Sequence, residues 1–66
     1  MSYAYRGTTS HGASDYYWFP HATKEDVMLH ACRQLASGAT GVSIEDDDGR
    51  PVADEREIRD YCQRAK

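Results

Sequence analysis

The residues of this 66-residue chain with the most consequential chemistry are three histidines, two cysteines and a run of aspartates. His11, His21 and His30 fall in a connection, a turn and the polar side of a helical segment. None stands in a nucleophile motif with a serine or cysteine, so a nucleophile–base pair would need tertiary structure to assemble it. Cys32 and Cys62 lie on two separate apolar helical stripes, where a thiol behaves as a small buried hydrophobe. Two thiols are the expectation, and a disulfide requires the two helices to pack side by side. There is no Cys-x-x-Cys or His-x-x-x-His pair to hold zinc. Asp46-Asp47-Asp48-Gly49 is consecutive, whereas a calcium loop needs acids at alternate positions and a glutamate farther on. Neighbouring strand residues also point to opposite faces, which reads as a solvated turn. The five glycines form no phosphate-binding pattern. No catalytic residue, cofactor or metal ligand is expected.

Recognition is the better-supported chemistry. Tyr16-Tyr17-Trp18-Phe19 puts four aromatics in a row, and Tyr3 and Tyr5 add two more nearby. On a strand, Tyr16 and Trp18 face one way and Tyr17 and Phe19 the other. If helices cover only one sheet face, some of these rings face away from the core. Tyr3, Tyr5, Tyr16, Tyr17 and Trp18 are then the candidates for a partner-binding aromatic face. Such rings can also stack on single-stranded bases, but that mode wants basic neighbours, and only Arg6 and Lys24 are at hand. Nucleic acid is therefore not the expected partner. Glu45, Asp46, Asp47 and Asp48 form the second candidate, an acidic patch. Residues 45–57 carry seven acids against Arg50 and Arg56. Such a patch suits a basic protein groove, as in an inhibitor mimicking nucleic acid, or simply serves solubility.

These residues need elements to position them. Met28, Ala31, Cys32, Leu35 and Ala36 recur at helical spacing within Thr23–Gly38. Thr23 with Asp26 three residues on forms a capping box, and Gly38 suits the left-handed position that closes a helix. Val27 and Leu29 flank the stripe, with His30 opposite. Before this helix, Tyr3–Thr9 and the aromatic run read as a hairpin with a five- or six-residue loop around Ser10–Ser14. After it, Thr40–Glu45 alternates, with Val42 and Ile44 inward. A three-residue turn, Asp47-Asp48-Gly49, sets Val52 opposite Ile44 and gives Gly49 the left-handed position. Pro51 predicts an edge strand. A second helix opens at Asp54, with Glu57 three residues on and an inward stripe of Ile58, Tyr61, Cys62 and Ala65. The opposite-charge pairs Glu55–Arg59, Arg56–Asp60 and Asp60–Arg64 lie four apart along it.

The order ββαββα predicts a single α+β domain, with a mainly antiparallel four-stranded sheet and two helices on one face. The segment from the first helix through Val42-x-Ile44 and Asp48-Gly49 resembles the generic pattern of small bacterial ββαβ domains, a likeness that assigns no residue a role. At 66 residues such a core is small, and self-association would enlarge it. No apolar run is long enough to span a membrane, and the N-terminal segment lacks a signal-peptide pattern, so a cytoplasmic address is expected. The functional expectation is a non-enzymatic interaction or regulatory protein. It would bind a protein partner, or itself as a homodimer, through the aromatic sheet face.

Overall fold

A computed structural model of the chain describes residues 1–64. The elements run β1 (Tyr3–Thr8), β2 (Ser14–Phe19), α1 (Lys24–Ala36), β3 (Thr40–Asp46), β4 (Pro51–Ala53) and α2 (Glu55–Arg64). The four strands form one antiparallel sheet in the order β2-β1-β3-β4, so β1 and β3 are central and β2 and β4 are edges. Helix α1 carries the chain from the β2 edge across β1 to β3. Ala65, assigned by its spacing to the α2 stripe, lies outside the described residues.

Local chemistry accounts for the element ends. Thr23 Oγ1 accepts the Asp26 amide while the Asp26 carboxylate accepts the Thr23 amide, which completes the capping box of α1. At the other end Ala39 N–H reaches Gln34 O and Gly38 N–H reaches Leu35 O, with Gly38 at φ 98°. This Schellman closure needs a left-handed residue after the cap, which glycine adopts without penalty. Asp54 caps α2 by accepting the Glu57 amide. Glu57, however, reaches to Lys24 on α1 instead of back to Asp54.

Both hairpins use one turn type. Asp46 N–H donates to Arg50 O and Gly49 N–H to Asp46 O, which makes the three-residue loop Asp47-Asp48-Gly49. Thr9 N–H donates to Ala13 O and Gly12 N–H to Thr9 O, so the first loop is Ser10-His11-Gly12. It is shorter than the five or six residues expected, because Gly12 supplies the same left-handed position. Two bulges adjust the sheet. Gly7 of β1 faces both Gly41 and Val42 of β3, and Val52 is the extra residue where Ile44 pairs with Ala53. Ala53, not Val52, therefore stands opposite Ile44 in the core.

One core lies between the sheet and the helices. It gathers Tyr3 and Tyr5 from β1, Val42 and Ile44 from β3, Ala53 from β4, Val27, Met28 and Ala31 from α1 and Ile58 from α2. Val27, which flanks the apolar stripe in sequence, is fully buried, whereas Leu29 stays exposed. The helices also share a covalent bond. Cys32 and Cys62 form a disulfide, with Cα atoms 5.7 Å apart. The expectation of two thiols is thus corrected. The helices lie side by side at the approach a disulfide requires. Closing a loop of 30 residues restricts the unfolded chain by roughly 3–4 kcal/mol on the entropic account.

Candidate interaction surface

The strand register decides what each aromatic does. Tyr3 pairs with Phe19 and Tyr5 with Tyr17, so these four share the helix-covered face. Tyr3 and Tyr5 lie on the central strand beneath α1 and are buried, Tyr5 completely. As candidates for a partner-binding face they are corrected. Their rings are core, because β1 has a neighbour on each side and a helix above.

Tyr16, Tyr17 and Trp18 belong to the edge strand and remain 52%, 47% and 49% exposed. Tyr16 and Trp18 lie on the uncovered face, across from Arg6 and Ala4. Tyr17 lies on the covered face but overhangs the rim of α1. The strand thus carries aromatic surface on both sides of an open edge. The Thr9–Ala13 hydrogen bond fixes the ladder's alternation. Asp15, Tyr17 and Phe19 turn their backbone groups toward β1, and Ser14, Tyr16 and Trp18 turn theirs to the free side.

His30 fastens this edge to the helix. Sequence places it on the polar side of α1, but its ring packs at 5.0 Å from Tyr5, 4.9 Å from Tyr17 and 5.0 Å from Phe19. A helix lying over the middle of a sheet turns one flank toward the edge strand, and position 30 is on that flank. The helical period alone does not reveal which flank this is. Its Nε2 is buried without a hydrogen-bond partner, as is Tyr5 Oη. Burial holds the His30 pKa below the ordinary histidine value; the Asp15 carboxylate opposes this and the Arg33 guanidinium adds to it. Burial, with Asp15 and Tyr17 in support, raises the Tyr5 phenol.

On the uncovered face Arg6 lies 5.0 Å from the centroid of the Tyr16 ring and forms an ion pair with Glu45. Lys24, the other cation near the aromatics in sequence, pairs with Glu57 at 3.1 Å. The aromatic surface therefore has no unengaged cation from either residue to offer a phosphate.

The acidic candidates are tied largely to their own chain. Glu45 holds Arg6. Asp46 Oδ1 accepts the amides of Asp48 and Arg50 and so organises the turn. Asp47 accepts the Ser2 amide. Along α2, Glu55–Arg59 and Asp60–Arg64 form ion pairs, and Asp60 engages Arg64 instead of Arg56. Among the described residues no group of three or more His, Cys, Asp or Glu side chains is arranged to hold a metal ion. Among them, too, no helix is long and apolar enough to cross a membrane.

Comparison with known proteins returned no match, whether to a protein family, a curated protein or a solved structure.

Proposed function

We propose that the protein is a small self-associating interaction module, joined to a second copy of itself through β2. The observation that carries this reading is the contrast between its two sheet edges. Edge strands invite pairing, and proteins blunt them with short length, proline or charge. The β4 edge is blunted in this way, with three residues beginning at Pro51. The β2 edge has six residues and no proline, and Asp15 is its only charge, on the helix-covered side. In place of guards it carries Tyr16, Tyr17 and Trp18, each about half exposed.

A two-fold pairing centred on Tyr17 is self-complementary. It sets Tyr16 of one chain against Trp18 of the other, the residues whose backbone groups face outward. Asp15 then lies opposite Phe19, so no like charges meet. Each aromatic buries roughly 150–250 Å² when fully covered, so three half-exposed rings contribute about 300 Å² per chain. Even with the strand backbone this lies at the low end of specific interfaces. The dimer expected is reversible, with a Kd on the order of micromolar.

Light-scattering mass over a concentration series, with Trp18 emission on the same samples, tests the reading. Expected is a rise from monomer to dimer with a blue shift of emission. Tyr17→Lys should suppress it and Leu29→Lys, at an exposed site on α1, should not. A monomer with red-shifted emission at every concentration would defeat self-association and leave the edge to an extended segment of another protein.

A further inference from the structure

The bond between the helices is open to reagents from one side. Cys32 and Cys62 are each half-buried, and both line an open groove of about 260 Å³ walled by Leu35, Ala36, Arg59 and Gln63. Arg59 is held against Glu55, so the groove is close to neutral and does not repel an approaching thiolate.

Little else fastens the far end of α2. Ile58 is the one residue of this helix that is fully buried, and Tyr61 and Cys62 pack only at the margin of the core. The polar ties to the rest of the molecule belong to the first turn. Glu55 accepts the amides of Gly41 and Val42, and Glu57 pairs with Lys24. Beyond Ile58, the sulfur bond is the strongest attachment among the described residues.

We propose that Cys32–Cys62 is a thiol–disulfide exchange site whose reactants are small-molecule thiols, and that its redox state sets the docking of the second half of α2. A thiolate attacks one of the two sulfurs and the Sγ–Sγ bond breaks. A mixed disulfide forms on the attacked cysteine, and the other leaves as a thiolate that takes up a proton. A second thiolate attacks the small-molecule sulfur of the mixed disulfide, releasing the small-molecule disulfide and the second cysteine. Two electrons pass from two thiols to the protein, and the two thiol protons are balanced by those on Cys32 and Cys62. A small-molecule disulfide runs the same steps backward and closes the bond. The bond joins the two helices, and neither cysteine lies on β2.

The test uses the full chain purified without reductant, with millimolar glutathione as the probe. Iodoacetamide mass labelling counts thiols, and amide hydrogen exchange follows each element. Expected are no labelled cysteines before glutathione and two after it. Exchange over residues 59–64 should then quicken roughly tenfold or more beyond the loss of protection that β1, β3 and α1 share through the freed unfolded chain. A Cys32→Ser/Cys62→Ser variant should show the fast exchange in both buffers. Two labelled cysteines before reductant, a bond that survives glutathione in the folded protein, or unchanged exchange in α2 would each overturn the proposal. So would an equal loss of protection in β1, β3 and α2, since the bond would then act on the whole fold alone and not on the docking of α2. If the double variant does not fold, reduction of the natural chain still decides the matter.

Discussion

The Glu55 carboxylate, at the start of α2, accepts the backbone amide of Gly41 fourteen residues earlier in β3. The same oxygen also accepts the Val42 amide, and its other oxygen takes Arg59 Nε at 3.2 Å. Gly41 and Val42 are the two residues that bulge opposite Gly7, so the ladder leaves donors there that a side chain must satisfy. One carboxylate thereby closes a gap in the sheet and pins the first turn of a helix to it.

This arrangement makes the fold acid-sensitive in a defined direction. Hydrogen bonds from Arg59, then from Gly41, hold the Glu55 pKa below its ordinary value. A depressed carboxylate contributes stability that is present above the unfolded pKa and lost as pH falls through the folded one. Glu55→Gln should lower Tm at neutral pH and flatten the pH dependence below about pH 4.5. Thermal melts of both proteins across that range check it, and parallel curves would contradict it.

His30 adds a second loss at milder acidity. Its lowered pKa means that the unfolded chain takes up the proton first. Stability should therefore fall as pH drops from about 6.5 toward the folded value. His30→Phe, which keeps a ring among Tyr5, Tyr17 and Phe19, should remove that slope. Urea midpoints between neutral and mildly acidic pH measure it.

Gly7 and Tyr5 form a steric pair. A Cβ at position 7 would lie 2.6 Å from Tyr5 Oη and 3.1 Å from Val42 Cγ1. Gly7→Ala should cost about 1–3 kcal/mol through overpacking. Tyr5→Phe removes a buried hydroxyl that has no hydrogen-bond partner, so alone it should be neutral or stabilising by about 1 kcal/mol. Combined with Gly7→Ala it should recover part of the loss. Denaturant unfolding of the four proteins completes the cycle, and simple additivity would refute the coupling.

His21, in the turn after β2, has a positive φ of 56°. Left-handed backbone costs an L-residue roughly 1–2 kcal/mol, and a β-branched one more. His21→Gly should raise stability by about 0.5–1 kcal/mol once the added freedom of the unfolded chain is set against the relief. His21→Val should lower it by roughly 1–2 kcal/mol. Tm shifts of opposite sign are the readout.

What the sequence determined by itself is local. The capping box of Thr23 and Asp26, the closure at Gly38, the three-residue turn ending at Gly49 and the edge position announced by Pro51 depend on residues a few places apart, so their chemistry is legible in order along the chain. The ββαββα order follows from the same short-range signals. Tertiary structure alone decided the fate of chemically equal residues. Tyr5 and Tyr17 stand opposite each other in the sheet, yet one is buried and the other half exposed, because β1 became a central strand and β2 an edge. His30 was drawn from a polar helix side into an aromatic cluster by the placement of α1 over the sheet. Cys32 and Cys62 became partners only when the helices came to lie together. Strand order and helix placement are settled by burial summed over the whole core, and no short window of sequence contains that sum.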